Sequence, residues 1–194
     1  MPTMIRTLGR AVAAALMLGS VAVLAMATGA SAQPVPVKTA IVPFAGQFHP
    51  INNAGNPSEC LQPLTSDFRA PIVQRPCDGS MAQGWAVDPA PSGGTHYRFL
   101  NPDGWCISTD SLTNGSPILQ DECAVPGRTT VSNAEWNASA TLLANRVTEV
   151  TLHSRLGFVN SAHCLDEPGG LAGNSNMQIF ACNGTNAQNW LISG

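Results

Sequence analysis

Hydrophobic positions fall into two unlike regimes along this chain of 194 residues. From Ala11 to Ala27 runs an almost continuous apolar stretch, AVAAALMLGSVAVLAMA, preceded by Arg6 and Arg10 and followed by the small residues Ala30-Ser31-Ala32. That order is the build of a secretory signal peptide, so residues 1–32 are expected to be cleaved and the rest exported. The stretch is just long enough for an uncleaved anchor to be the competing reading; the small-residue exit and the polar chain beyond it favour cleavage. Downstream, apolar residues come in short runs separated by clusters of Gly, Pro, Asn and Ser, which predicts many short strands joined by turns. Residues 33–40 read as a Pro-rich tail and 41–194 as one folded domain.

Composition narrows this further. After residue 32, Gly and Pro together make up 29 of 162 residues, while Leu, Glu and Lys, which fill helix faces, are sparse. An all-β domain follows. Disorder, the competing reading for so much Gly and Pro, is countered by four Trp and six Cys, which give the chain burial potential. The exported part carries a net charge of −5 with Lys38 as its single lysine, so no basic patch is expected to serve nucleic acid or an anionic membrane. No second apolar run approaches a membrane span.

The cysteines supply the organisation. Six are present, an even number in an exported chain, and disulfides are the default reading. Cys60 and Cys77 lie 17 residues apart, Cys106 and Cys123 also 17, Cys164 and Cys182 18, with longer gaps between the pairs. Of the 15 possible pairings, this spacing suggests one bridge inside each of three similar units. Trp85 and Trp190 each lie 8 residues after a second cysteine, Trp136 lies 13 after. Gln83-Gly84-Trp85 and Gln188-Asn189-Trp190 share a Gln-x-Trp pattern; Ala134 replaces the Gln of the middle unit. YRFLNPDGWCIS resembles GFVNSAHCLD, and PIVQRPC, PILQDEC and MQIFAC precede the three second cysteines. The period is about 50 residues, giving repeats at about 41–90, 95–140 and 141–194.

These motifs, phased three times over nearly the whole exported chain, resemble the ricin-type β-trefoil lectin domains. The resemblance implies a pseudo-threefold fold of twelve strands, six closing a barrel and six forming hairpins that cap it, with the indoles of Trp85, Trp136 and Trp190 packed inward as core. Trp105 stands outside the pattern and is expected at the surface or as cover.

The same resemblance implies a sugar site in a competent unit. An Asp two residues after the first Cys accepts from sugar hydroxyls, and an aromatic two before the second Cys stacks on the sugar's apolar face. A Gln four before that Cys and an Asn-Gln pair before the Trp complete the set, a chemistry suited to a neutral polyol. The third unit supplies Asp166, Gln178, Phe180 and Gln188, with Ala187 where the Asn belongs and Asn186 one residue earlier. The first two units do not match. Gln62 and Ser108 stand at the Asp position, Arg75 and Glu122 at the plate, and Gln74 and Gln120 fall one residue out of register.

Other chemistry finds little support. Asp166 in DEPGG also suits a turn, and Phe180 suits ordinary hairpin packing. No Cys-x-x-Cys or Cys/His cluster indicates zinc, and His49, His96, His153 and His163 show no metal or triad spacing. No nucleophile elbow or phosphate loop is present, and no cofactor is expected. Asn114, Asn137 and Asn183 open glycosylation sequons. The function expected is a secreted, non-catalytic, carbohydrate-binding module with galactose-like glycans as ligands. The alternative is a trefoil retained for contact with another protein subunit, in a toxin-like or envelope assembly.

Overall fold

The computed structural model describes residues 47–123, 132–143, 147–169 and 175–193. The expected signal peptide at 1–32, the tail at 33–40 and the first residues of the domain lie outside them. Twelve strands form among the described residues. The first four are β1 His49–Asn53, β2 Asn56–Pro63, β3 Ile72–Pro76 and β4 Gly84–Pro89. The next four are β5 His96–Leu100, β6 Trp105–Ser108, β7 Leu119–Glu122 and β8 Trp136–Leu142. The last are β9 Val147–Ser154, β10 His163–Asp166, β11 Gln178–Ala181 and β12 Asn189–Ser193.

Six strands close a ring. β1 pairs with β12, β12 with β9, β9 with β8, β8 with β5, β5 with β4 and β4 with β1, every pairing antiparallel. Closure matters because short strands with few apolar residues would otherwise present unpaired edges to water. The other six form the hairpins β2–β3, β6–β7 and β10–β11, each joined through its first strand to a barrel strand. The chain therefore lays down the same wiring in three successive blocks, β1–β4, β5–β8 and β9–β12.

The hairpins meet through backbone bonds that themselves run in a circle. The Ile72 N–H donates to Ile118 O (2.9 Å), Ile118 N–H to Met177 O (3.0 Å) and Met177 N–H to Ile72 O (2.8 Å). A second set surrounds it, from Gln74 to Ser175 O, Gln120 to Ala70 O and Ile179 to Ser116 O. Each buried amide finds an acceptor in the neighbouring block, which satisfies the backbone where no long ladder reaches. The side chains of Ile72, Ile118 and Met177 are fully buried beneath.

Trp85, Trp136 and Trp190 are the largest fully buried side chains. An indole buried in this way leaves one polar atom to satisfy. Each Nε1 donates to a backbone carbonyl of its own block's hairpin: Leu61 (2.9 Å), Ile107 (2.9 Å) and Leu165 (3.2 Å). The disulfides join Cys60 to Cys77, Cys106 to Cys123 and Cys164 to Cys182, the pairing the spacing suggested.

A polar clasp ties the β4–β5 loop to the entry of β8 and the exit of β9. Arg155 donates through Nη1 to His96 Nε2 (2.8 Å), which leaves the ring proton on Nδ1, 3.1 Å from Ser92 Oγ. Ser92 in turn donates to Glu135 Oε2 (2.6 Å), and that oxygen lies 3.5 Å from Arg155 Nε. Burial, and then the charge of Arg155, hold the His96 pKa below its ordinary value, with Glu135 opposing. A histidine depressed in the fold adds stability that is complete above its unfolded pKa of about 6.5 and is lost as pH falls through the folded value. Melting curves are therefore expected to show a larger loss of Tm between pH 7.5 and 5.5 for the wild type than for His96→Gln, whose amide accepts from Arg155 without titrating. Equal losses would remove His96 from the account.

Candidate functional site

The β10–β11 register sets Asp166 opposite Gln178 and Cys164 opposite Phe180. Alternate residues of a strand share a face, so Asp166, Gln178 and Phe180 project on one side of the hairpin. Asp166 is only 5% exposed. Its Oδ2 accepts from Gln178 Nε2 at 2.6 Å and its Oδ1 from Gln188 Nε2 at 3.0 Å. Gln188, fully buried in a 3-10 turn over Asn186–Gln188, also donates to Ala181 O (3.0 Å) and accepts from Asn183 N–H (2.7 Å).

The outcome is a carboxylate fixed in direction by two amides. Among the described residues one donor reaches each oxygen, so each keeps a lone pair able to accept from a ligand's hydroxyl group. Phe180 is half-buried on the same face, while Asn186 is exposed and makes no hydrogen bond to Asp166. The structure thus brings together four of the five expected residues and leaves Asn186 outside the network. Among the described residues the partners of the Asp166 carboxylate are these two glutamines rather than turn amides.

The other blocks reuse the frame without the charge. In the first, Gln83 repeats the role of Gln188. It donates to Pro76 O and accepts from Asp78 N–H, both at 2.9 Å, and its remaining donor meets the neutral Gln62 Oε1 (2.9 Å). Gln62 faces Val73, and Gln74 faces Leu61 instead. In the second, Ser108 faces Leu119, and buried Ala134 stands at the glutamine position. The residue facing the first cysteine is Arg75 in the first block and Asp121 in the second. The plate position of the second block is therefore Asp121 and not Glu122: Asp121 stands two residues before Cys123, as Arg75 does before Cys77, and Glu122 points to the other face of the strand. Asp121 is held by Arg69 Nη1 at 2.7 Å.

Several contacts gave no signal in the sequence. Arg69 bridges Asp110 as well as Asp121, and Phe68 packs its ring on Trp105, centroids 5.4 Å apart, giving that Trp the covering role expected. Two open clefts of about 290 and 280 Å³ share Met81 as a wall, and none of the five expected site residues lines either. His153 lies beside Cys164 and Cys182, whose sulfurs are bonded to each other.

No family model matches the chain, and no curated protein matches it in sequence. Solved structures match its fold. A designed threefold-symmetric protein, ThreeFoil, is 17% identical with a TM-score of 0.61, covering 76% of this chain and 99% of its own. A ricin B-like lectin of Macrolepiota procera, solved with lactose, is 14% identical with a TM-score of 0.55, covering 77% of this chain and 96% of its own. An exo-β-1,3-galactanase of Clostridium thermocellum is 19% identical with a TM-score of 0.62; the match covers 78% of this chain and 31% of the galactanase. The class that the closed ring and its three capping hairpins define is the β-trefoil. Ricin B-like lectins are among the solved structures that share this fold with the chain, at 14% identity.

Proposed function

We propose that the protein is a secreted, non-catalytic carbohydrate-binding module built of three repeats, with one sugar site in the third. The observation that carries this reading is the Asp166 carboxylate, clamped by Gln178 and Gln188 on the face that also shows Phe180. Neighbouring hydroxyls of a galactose-like ring donate to the free lone pairs of the carboxylate, and charge makes those bonds stronger than an amide could. The ring's C–H face lies on Phe180. The lactose complex of a structural neighbour, the threefold circle of cap bonds and the three equivalent indole bonds support the same reading. Export rests on the Ala11–Ala27 stretch and its flanks.

A single shallow site binds weakly, with a Kd near the millimolar range, about 4 kcal/mol, and presentation in several copies would raise the avidity. Titration of the exported chain with galactose and lactose, followed by NMR, is expected to shift resonances of the β10–β11 hairpin. Asp166→Asn keeps the shape and removes the charge, and should weaken binding at least about tenfold, the effect of about 1.4 kcal/mol. A wild type silent to a panel of neutral sugars, or an Asp166→Asn protein that binds as well, would sink the reading.

A further inference from the structure

The three disulfides occupy the same place in their blocks but keep different company. Each first cysteine pairs across the ladder with a barrel-strand residue: Cys60 with Asn52, Cys106 with Leu100 and Cys164 with His153. Asn52 directs Nδ2 at both sulfurs of its bridge, 3.2 Å from Cys60 Sγ and 3.0 Å from Cys77 Sγ. His153 sets Nδ1 3.7 Å from Cys164 Sγ and 3.4 Å from Cys182 Sγ. A leucine side chain brings no polar atom at all. One scaffold position therefore holds an amide, a hydrocarbon and an imidazole beside three bridges of the same placement.

The difference is chemical. When a thiolate attacks a disulfide, the departing sulfur leaves as a thiolate, and the rate rises with the stability of that leaving group. An amide N–H can hydrogen-bond the departing sulfur but cannot surrender its proton. An imidazole can do both, and histidine lowers the pKa of a cysteine beside it. Access sets the direction of attack but does not single out this bridge: the first cysteine of each pair is buried, Cys123 and Cys182 are half-buried and Cys77 is exposed, so the neighbour of the leaving sulfur is what distinguishes the third. An external thiol reaches Cys182, and Cys164 is the sulfur that leaves next to His153.

We propose that Cys164–Cys182 with His153 is a thiol–disulfide exchange site, the bridge that a small thiol or a dithiol protein opens first. The thiolate of the reductant attacks Cys182 Sγ and forms a mixed disulfide. The old S–S bond breaks with its electron pair on Cys164 Sγ, which takes a proton from His153. A second reductant thiolate attacks the reductant's sulfur in the mixed disulfide, releases Cys182 as a thiolate and leaves as the oxidised reductant; of the two protons the reductant thiols gave up to solvent, one goes to Cys182 and the other restores His153. Two thiols are oxidised and one protein disulfide is reduced. The bridge staples the hairpin that carries Asp166 and Phe180, but the exchange step stands without any ligand.

The test uses the folded exported chain incubated with glutathione, quenched at intervals by alkylation and mapped by peptide mass spectrometry. Cys164–Cys182 should open on the order of tenfold faster than Cys106–Cys123, as expected for a better leaving group, with Cys60–Cys77 between them. His153→Leu should slow the third bridge to the pace of the second, and His153→Asn should bring it to that of the first. Both replacements already stand at this position elsewhere in the fold. Leu100→His should quicken Cys106–Cys123. A third bridge that opens no sooner than the second would overturn the proposal, and so would a rate unmoved by either His153 replacement. Should His153→Leu fail to fold, the Asn variant and Leu100→His decide the matter.

Discussion

Truncating Trp136 to alanine is expected to remove about 3–5 kcal/mol of unfolding free energy, the range for a large aromatic cut from a packed core. The residue is fully buried in the common core with Trp85, Trp190, Phe99 and Leu152. Its loss leaves a cavity that neighbours belonging to a closed barrel cannot collapse to fill. It also strands the Ile107 carbonyl, now the acceptor of the Nε1 bond at 2.9 Å, and an unpaired buried acceptor adds its own penalty of about 1–3 kcal/mol. Against a typical domain stability of about 5–15 kcal/mol, such a loss is a large fraction of the whole. Urea unfolding followed by circular dichroism should show a lower midpoint at similar slope. Trp105→Ala, which removes a half-buried ring packed on exposed Phe68, should cost much less. If the two substitutions proved equally mild, the shared indole core would be the wrong description of this protein.

Gln188→Ala should come next in size, at about 2–4 kcal/mol, since it deletes a bond to a carboxylate and two to backbone groups where little water can replace them. Asp166 Oδ1, Ala181 O and Asn183 N–H would all lose their partner. The protein contains its own control, because the second block already has buried Ala134 at this position, where Ser108 brings no charge to be held. Gln83→Ala should cost less than Gln188→Ala, since the group it holds, Gln62, is neutral. On the proposed function, Gln188→Ala also weakens sugar binding by releasing Asp166 from its fixed direction. A double-mutant cycle with Asp166→Asn should return a coupling of about 0.5–3 kcal/mol. Independent, additive losses would mean that the glutamine does not position the carboxylate.

Much of this was legible in the chain because the relevant closures are local. A bridge over 17 or 18 residues closes within one hairpin, so spacing alone pointed to the pairing, and the Trp that follows each bridge could be counted from it. The candidate site was legible only through the family resemblance, which implied a set of residue types at fixed offsets. The direct clamp of Asp166 was not, because it depends on which residues of facing strands meet. The three hairpins pair at the same distance from both of their cysteines; Gln178, four residues before Cys182, therefore meets Asp166, while Gln74 and Gln120, three residues before theirs, turn to the other face, as a shift of one must do in a strand of period two.

Other features had no local trace at all. Arg69 finds Asp121 across 52 residues and Arg155 finds His96 across 59, and nothing in the neighbourhood of either arginine announces its partner. The amino-acid order by itself determined the short strands and the three self-contained bridges, since those follow from composition and near-neighbour spacing, while the place of the three indoles in the core was implied by the family resemblance. Only the closed barrel decided which polar side chains face each other, and why one equivalent position can hold Asn52, Leu100 or His153 with different consequences. Such contacts arise where distant strands come into register, a geometry that exists only once the ring has closed.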